Sequence, residues 1–454
     1  MFLKLTQKLS DLFDIETGEA YRVGVMASLL FFLIAANNLI KIVRDSIFLS
    51  HHAVSELPYL YILVALLAAV IIATYTKYTQ TLSIIRLILA TNAIILSNII
   101  GFWLVLTYFS SGWIYYAFYI WSAIVSVIAV AQLWTLADQI FSLEQGKRSF
   151  GLLSAGGTVG GTLAGFGVNW FLPPWLESHH LLWVIAGLYL APSALLICTK
   201  ARILGKVSKS KLGISNTPKE TRASNIGELL AGSRYLKIIA ILIFVSVIVS
   251  TLLDFQFKSA AKQAYPSAGA LTVFFSSYYG WLSIATFFVQ VVLTGKILST
   301  LPLKPSLCLT PGTLLVGSLA ILIWPGVLAV VLTRMADGAL RESIYRSGME
   351  SLYMPLSGNV KKTVKTFLDV VIERIGDATA GFIILIALSA VANSYTYLQF
   401  ACVALIVLWL LMISLLRTRD LEPLRADLKS EGLLPTDGQP AEKRSKRDQM
   451  VQES

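Results

Sequence analysis

KVSKSKLGISNTPKETRAS (206–224) is a polar, basic run set between long apolar stretches on both sides. Upstream of it, a window of about 19 residues finds six stretches long enough for a hydrocarbon core of roughly 30 Å. They cover 23–45, 57–76, 86–108, 113–139, 151–171 and 181–199. Six more follow, at 237–258, 270–297, 305–324, 326–349, 366–390 and 397–416. The run therefore reads as the core of a linker, 200–236, joining a first six-helix half (23–199) to a second (237–416). An amphipathic amino terminus (1–22) and a charged tail (417–454) flank them. The fold class this implies is an all-α polytopic membrane protein, with twelve transmembrane helices in two pseudo-symmetric six-helix halves. Composition agrees: 56% of residues are hydrophobic and 14% charged, with a mean hydropathy of +0.70, whereas a soluble domain carries about 25% charged residues.

The net charge of +11 does not point to nucleic acid, because the basic residues are distributed by membrane topology. Of the 37 Lys and Arg residues, 29 lie in or at the edges of alternate gaps, the two ends of the chain included. LPPWLESHH (172–180) and VANSYT (391–396), from the other set of gaps, carry none. Cations stay on the cytoplasmic side of a bilayer, so both termini and the linker are expected in the cytoplasm of a bacterial inner membrane. Neither a cleavable signal nor an organelle transit peptide is expected over 1–22, which holds Phe13, Asp14, Glu16 and Glu19. Cys198, Cys308 and Cys402 are scattered through apolar segments and read as packing residues. The pairs His51-His52 and His179-His180 fall in loops without further donors, so no metal site is expected. Trp134, Trp170 and Trp175 suit interfacial belts or packing. SAGGTVGGTLAGFG (154–167) places Gly157, Gly161 and Gly165 four apart, a close helix-packing pattern. It lacks the GxxxxGK[ST] of a phosphate loop. No nucleophile-base arrangement argues for an enzyme, and nothing implies a cofactor.

Charges inside apolar segments cost at least about 2.5–3.5 kcal/mol each on insertion scales, which makes them functional candidates. Lys41, Arg44 and Asp45 share a face of helix 1, either as an interfacial anchor with Lys41 paired to Asp45 or as part of a cavity. Asp254, Lys258 and Lys262 repeat the arrangement on helix 7, the equivalent position in the second half, so the two clusters are expected to face one cavity. On helix 10, Arg334, Asp337 and Arg341 align on one face. Glu342, Arg346 and Glu350 continue toward the cytoplasmic end, and helix 11 adds Lys365, Asp369, Glu373, Arg374 and Asp377. These charges form either a gate of salt bridges or an anion site, since the guanidinium fork holds carboxylate and phosphate alike. The substrate-binding set expected is Lys41, Arg44, Asp254, Lys258, Arg334, Asp337, Arg341, Lys365 and Asp369. The gate set is Asp45, Lys147, Arg148, Arg346, Glu350, Glu373 and Arg374.

The halves echo each other: LADQIFSLEQGKRSFG (136–151) precedes a small-residue helix, as does MADGALRESIYRSGMESLY (335–353). Duplicated six-helix halves are the plan of major-facilitator-like carriers, with substrate near the midplane between halves. The segment WTLADQIFSLEQGKRSFGLLSAGGTVGGTLAG (134–165) resembles the "EAKRFY" stretch and following helix of the bacterial and plastid ATP/ADP translocase family. IVRDS (42–46) is similar to that family's Arg-Asp element, DFQFKSAAKQAYPS (254–267) to its Glu-x-x-Trp-Lys-Ser element, and MESLYMPLSGNVKKTVKTFLDVV (349–371) to "KEMAYIPL" followed by "KGKAAIDVV". The likeness spans about 20–420. It implies a carrier that exchanges or imports nucleotides, and Arg44, Asp45, Lys147, Arg148, Lys258, Glu350, Lys365 and Asp369 match the family pattern. Ile47, Gln145 and Met349 depart from it, where members have Lys, an acid and Lys respectively. The expectation is an alternating-access secondary carrier of an anionic, phosphate-bearing metabolite, with nucleotide exchange favoured. Its partners would be the lipid bilayer and that anion. Two other readings stay open: a proton-coupled importer using Asp254, Asp337 or Asp369, and a carrier-derived module that binds a protein through the linker or tail.

Overall fold

The computed structural model describes residues 17–79, 83–109, 111–141, 143–171, 178–204, 233–354, 356, 361, 364, 365, 367–390 and 394–416. Most of the 200–236 linker and the whole 417–454 tail lie outside this set, as do Trp175 and residues 1–16.

Twelve helical rods make up the described chain. In the first half they are α1 (Thr17–His51), α2 (Leu57–Thr79), α3 (Ile84–Tyr108), α4 (Trp113–Ile140), α5 (Leu143–Phe171) and α6 (Leu181–Leu204). In the second half α7 is Arg234–Ala264, and α8 is Ala268–Phe288 continuing through a π-helical Val289–Thr294 into Gly295–Thr300. Leu303–Ile323 is α9. Val327–Leu340, a π-helical Arg341–Tyr345 and Arg346–Leu352 form α10. The π-helical Leu368–Ile372 opens α11, which runs on through Glu373–Ala390, and α12 is Ser394–Leu415. Among the described residues, nine rods are long and apolar enough to cross a membrane by length and composition alone. The other three are glycine-rich α5 and the ion-bearing α10 and α11, which expose apolar side chains outward but also carry small or charged residues.

Local chemistry sets where the rods begin. Ser233 caps α7 by accepting from the Leu236 amide at 3.3 Å, and Ser267 caps α8 by accepting from Ala270, also at 3.3 Å. Each satisfies an amide that the first helical turn leaves without a partner. Outward faces carry Ile323, Leu328, Ile386 and Trp170 exposed, as lipid contact requires, while Trp134 is half-buried within the bundle.

Short connections make the rods run up and down, so Thr17, Leu204, Arg234 and Leu415 share one end, the linker end. Toward the opposite, far end the halves are bonded to each other. Asn169 donates to Ser277 at 2.7 Å, the Ser178 and Thr272 hydroxyls meet at 2.6 Å, and Tyr61 donates to Asp254 at 2.9 Å. Here α5 crosses α8 at Gly165, whose carbonyl accepts from the Ser276 hydroxyl. A Cβ on Gly165 would collide with the Gly280 backbone, whereas one on Gly167 would meet nothing within 4 Å. The glycine spacing read as a packing pattern thus includes the contact on which the far end closes.

Gly165→Val is expected to cost the closed far end about 1–3 kcal/mol by overpacking. The check is thiol cross-linking between Asn169→Cys and Ser277→Cys, which should fall severalfold with Gly165→Val and stay unchanged with Gly167→Ala.

The three π-helical segments all belong to the second half, and those of α8 and α10 pack on each other. Such segments widen a helix locally and concentrate at functional sites.

Candidate substrate site between the halves

Beneath the far-end bonds lies a cavity of about 480 Å³. Helices α1, α2 and α4 line one side of it, and α7, α8, α10 and α11 the other. Lys41 and Arg44 of the α1 cluster and Asp254 and Lys258 of the α7 cluster line it together, whereas Asp45 and Lys262 do not. Of the expected substrate-binding residues, Lys41, Arg44, Asp254, Lys258, Arg334, Asp337 and Arg341 line it, together with Arg374 from the expected gate set. Lys365 and Asp369 do not line it. Lys365 is bonded to Glu350 near the linker end, and Asp369 sits in the π-helical opening of α11, eight residues before the lining Asp377. Lys262 lies beyond the cavity at the end of α7. Lys147 and Arg148 fall in the first turns of α5, with side chains outside the described set.

Cations and carboxylates alternate along a chain that crosses from one half to the other. Arg44 grips Asp45 with Nε at 2.8 Å and Nη2 at 3.1 Å. The Lys258 ammonium stands 3.4 Å from Asp45 and 2.8 Å from Asp254. Arg334 reaches Asp254 at 3.1 Å and also bonds Asp337, which holds Arg341 at 3.0 Å. Every carboxylate in this chain serves two cations, the arrangement that makes buried charge tolerable. Hydroxyls complete the shells: Tyr61 donates to Asp254, Tyr279 to Asp45 at 3.3 Å, and Ser250 to Asp337 at 2.6 Å.

The pairing of Lys41 with Asp45 does not form. Both oxygens of the buried Asp45 are taken by Arg44, Lys258 and Tyr279. Lys41 makes no ion pair with a described residue, and its ammonium stands 5.9 Å above the Tyr279 ring. Apart from Asp45, the described side chains of the gate set pair more locally. Arg346 meets Glu342 at 3.0 Å on an exposed face, Glu350 meets Lys365, and Arg374 meets Asp377 at 2.9 Å and Glu373 at 3.5 Å. The cavity therefore combines a salt-bridge network with a free cation.

Four tyrosines, Tyr61, Tyr119, Tyr278 and Tyr279, also line the cavity; sequence reading passed over them. Tyr119 accepts from Lys258 at 2.9 Å and lies under the Arg44 guanidinium, 4.5 Å from its ring centre. Ser250 and Thr251 were missed as well, although Ser250 sits at i, i+4 from Asp254, a polar stripe on an apolar helix that could have flagged both.

Comparison with known proteins fits this geometry. The sequence profile described as TLC ATP/ADP transporter matches residues 92–324 and 312–419. ADP,ATP carrier protein 1 of Chlamydia muridarum (strain MoPn / Nigg) is 23% identical over 367 residues, covering 70% of this chain and 67% of that protein. The chloroplastic ADP,ATP carrier protein 1 of Arabidopsis thaliana is 22% identical over 339 residues, covering 66% of this chain, which spans about half (53%) of the plant protein's length. In architecture the chain is similar to a crystal structure of a mutant of the nucleoside transporter NupG, with a TM-score of 0.64 at 12% identity, covering 87% of this chain and 99% of that one. Two six-helix halves around an ion-lined cavity, and a family profile matched over most of the sequence, lead to one conclusion: the chain belongs to the TLC ATP/ADP transporter family, a family of carriers rather than enzymes.

Proposed function

We propose that this protein exchanges nucleotides across a bacterial inner membrane by alternating access, with the linker end and both termini on the cytoplasmic face. The observation that carries the reading is the cavity itself: cations from both halves, one of them without a carboxylate partner among the described residues, converge between the two bodies that must move. Positive-inside charge bias supports the orientation. In that orientation the far-end bonds close the outer face, and the cavity belongs to a state that receives cargo from the cytoplasm.

An anionic cargo entering here meets Lys41 and Arg44 on one half and Arg334 on the other. Bound between them it becomes a bridge, so that its own charge-assisted hydrogen bonds compete with the carboxylates that hold the halves together. Occupancy and rearrangement are coupled in this way. Gradients of the exchanged nucleotides supply the driving force, and hydrolysis plays no part. The bilayer and the nucleotide are the partners this mechanism needs.

The proton-coupled alternative has less support. Asp254 and Asp337 each already serve two cations, and Asp369 stands off the cavity.

The test is uptake of labelled nucleotide into proteoliposomes preloaded with unlabelled nucleotide, beside empty vesicles. Uptake that requires internal nucleotide and survives an uncoupler supports exchange. Uptake abolished by the uncoupler, or no uptake by verified folded protein, rejects it.

A further inference from the structure

The charge balance of the cavity narrows the cargo, on the reading that it carries nucleotides. Lys41, Arg44, Lys258, Arg334 and Arg341 stand against three carboxylates, Asp45, Asp254 and Asp337. The remaining charged lining residues are offset locally, Arg374 by Asp377 and Glu373, and Glu342 by Arg346. Among the described residues of this network, one positive charge is left over.

Donor use points the same way. A lysine ammonium has three donors, and those of Lys258 face Asp45, Asp254 and Tyr119, with the side chain only 2% exposed. Arg341 has every nitrogen engaged, Nε and Nη2 on Asp337, Nη2 again on the Ser246 carbonyl at 2.7 Å, and Nη1 on the Ser246 hydroxyl at 3.4 Å. Neither can turn to a ligand without leaving a buried carboxylate or carbonyl behind. Among the described lining residues, the whole Lys41 ammonium, Nη1 of Arg44 and Nε of Arg334 stay free, as does Nε of Arg374, whose charge Asp377 and Glu373 offset. Lys41 is within electrostatic range of Arg44 and Arg334, and of the Glu342 and Asp45 carboxylates. These donors suit one phosphoryl group, which offers three acceptor oxygens and about two negative charges at neutral pH. A second or third phosphoryl group would bring about one more charge each into a space whose other cations are already committed, and unpaired buried charge is strongly disfavoured.

We infer that the cargo is a nucleotide ending in a single phosphoryl group, held by Lys41, Arg44 and Arg334, in preference to the diphosphate or triphosphate. The experiment uses proteoliposomes loaded with an equimolar mixture of AMP, ADP and ATP, with EDTA on both sides to keep the nucleotides metal-free. Initial uptake of labelled AMP, ADP, ATP and glycerol 3-phosphate is measured at one concentration, with wild-type protein and with Lys41→Gln. Because Lys41 has no ion-pair partner to strand, the variant should fold, which size-exclusion profile and melting temperature verify. AMP entering at least about tenfold faster than ADP or ATP, and slowed at least about tenfold by Lys41→Gln, supports the inference. ADP or ATP entering as fast as AMP overturns it while leaving nucleotide exchange in place. Unchanged AMP uptake in the folded variant overturns the assignment of Lys41. Entry of glycerol 3-phosphate with no nucleotide, or of none of the four, overturns the exchange reading and this inference together.

Discussion

Arg334→Gln lowers nucleotide uptake by about 10- to 100-fold, as loss of a charge-assisted hydrogen bond worth about 1.5–3 kcal/mol predicts, and the protein still folds. Removing one member of a buried pair commonly destabilises by about 3–5 kcal/mol, because the other charge is stranded. Here neither neighbour is stranded. Asp254 keeps Lys258 and Tyr61, and Asp337 keeps Arg341 and Ser250. Arg334 is also 22% exposed, open enough to meet cargo, where Asp337 is fully enclosed. Initial uptake rates in proteoliposomes, with the melting temperature of the purified protein beside them, separate binding from folding. Wild-type uptake by a folded Arg334→Gln protein would remove this residue from the site.

Asp45→Asn has the opposite signature, a loss of folded protein amounting to about 3–5 kcal/mol. Arg44 has Asp45 as its sole carboxylate among the described residues, and Lys258 has Asp45 as its one carboxylate across the half boundary. Neutralising Asp45 leaves a buried guanidinium resting only on the face of Tyr119. The double variant Arg44→Gln/Asp45→Asn removes both charges and should recover most of the folded yield while still failing to transport. Thermal melts of the two single variants and the double give the coupling between the residues. Additive losses would mean that the pair contributes nothing as a pair.

The contrast between these two aspartates and arginines shows what could be read from the chain. Intramembrane charge is anomalous in an apolar segment, so Arg334, Asp337 and Lys258 stood out without any structure. Tyr61, Tyr119, Tyr278 and Tyr279 did not, because tyrosine is ordinary in such helices and only the rotation of each helix decides which rings face inward. Pairing was illegible for the same reason. Asp45 lies one helical turn from Lys41, yet it is turned toward α7, where Lys258 waits 213 positions later in sequence. The rods were found by hydropathy, but α1 runs Thr17–His51 where 23–45 was expected, and α7 continues to Ala264 past 258. Hydropathy marks where a chain meets lipid, while hydrogen bonding decides where a helix stops. The π-helical segments of α8, α10 and α11 left no trace in composition.

Lys258 ties α7 to both α1 and α4 through Asp45 and Tyr119. An unloaded protein that turned over would have to part this crossing with no anion beside Arg44 and Arg334 to offset the loss. At about 3–5 kcal/mol for disrupting a buried pair, empty turnover is slowed by about two to four orders of magnitude. A membrane equipped with such a carrier trades molecules one for one: what changes inside is the composition of the nucleotide pool, while its total number is conserved.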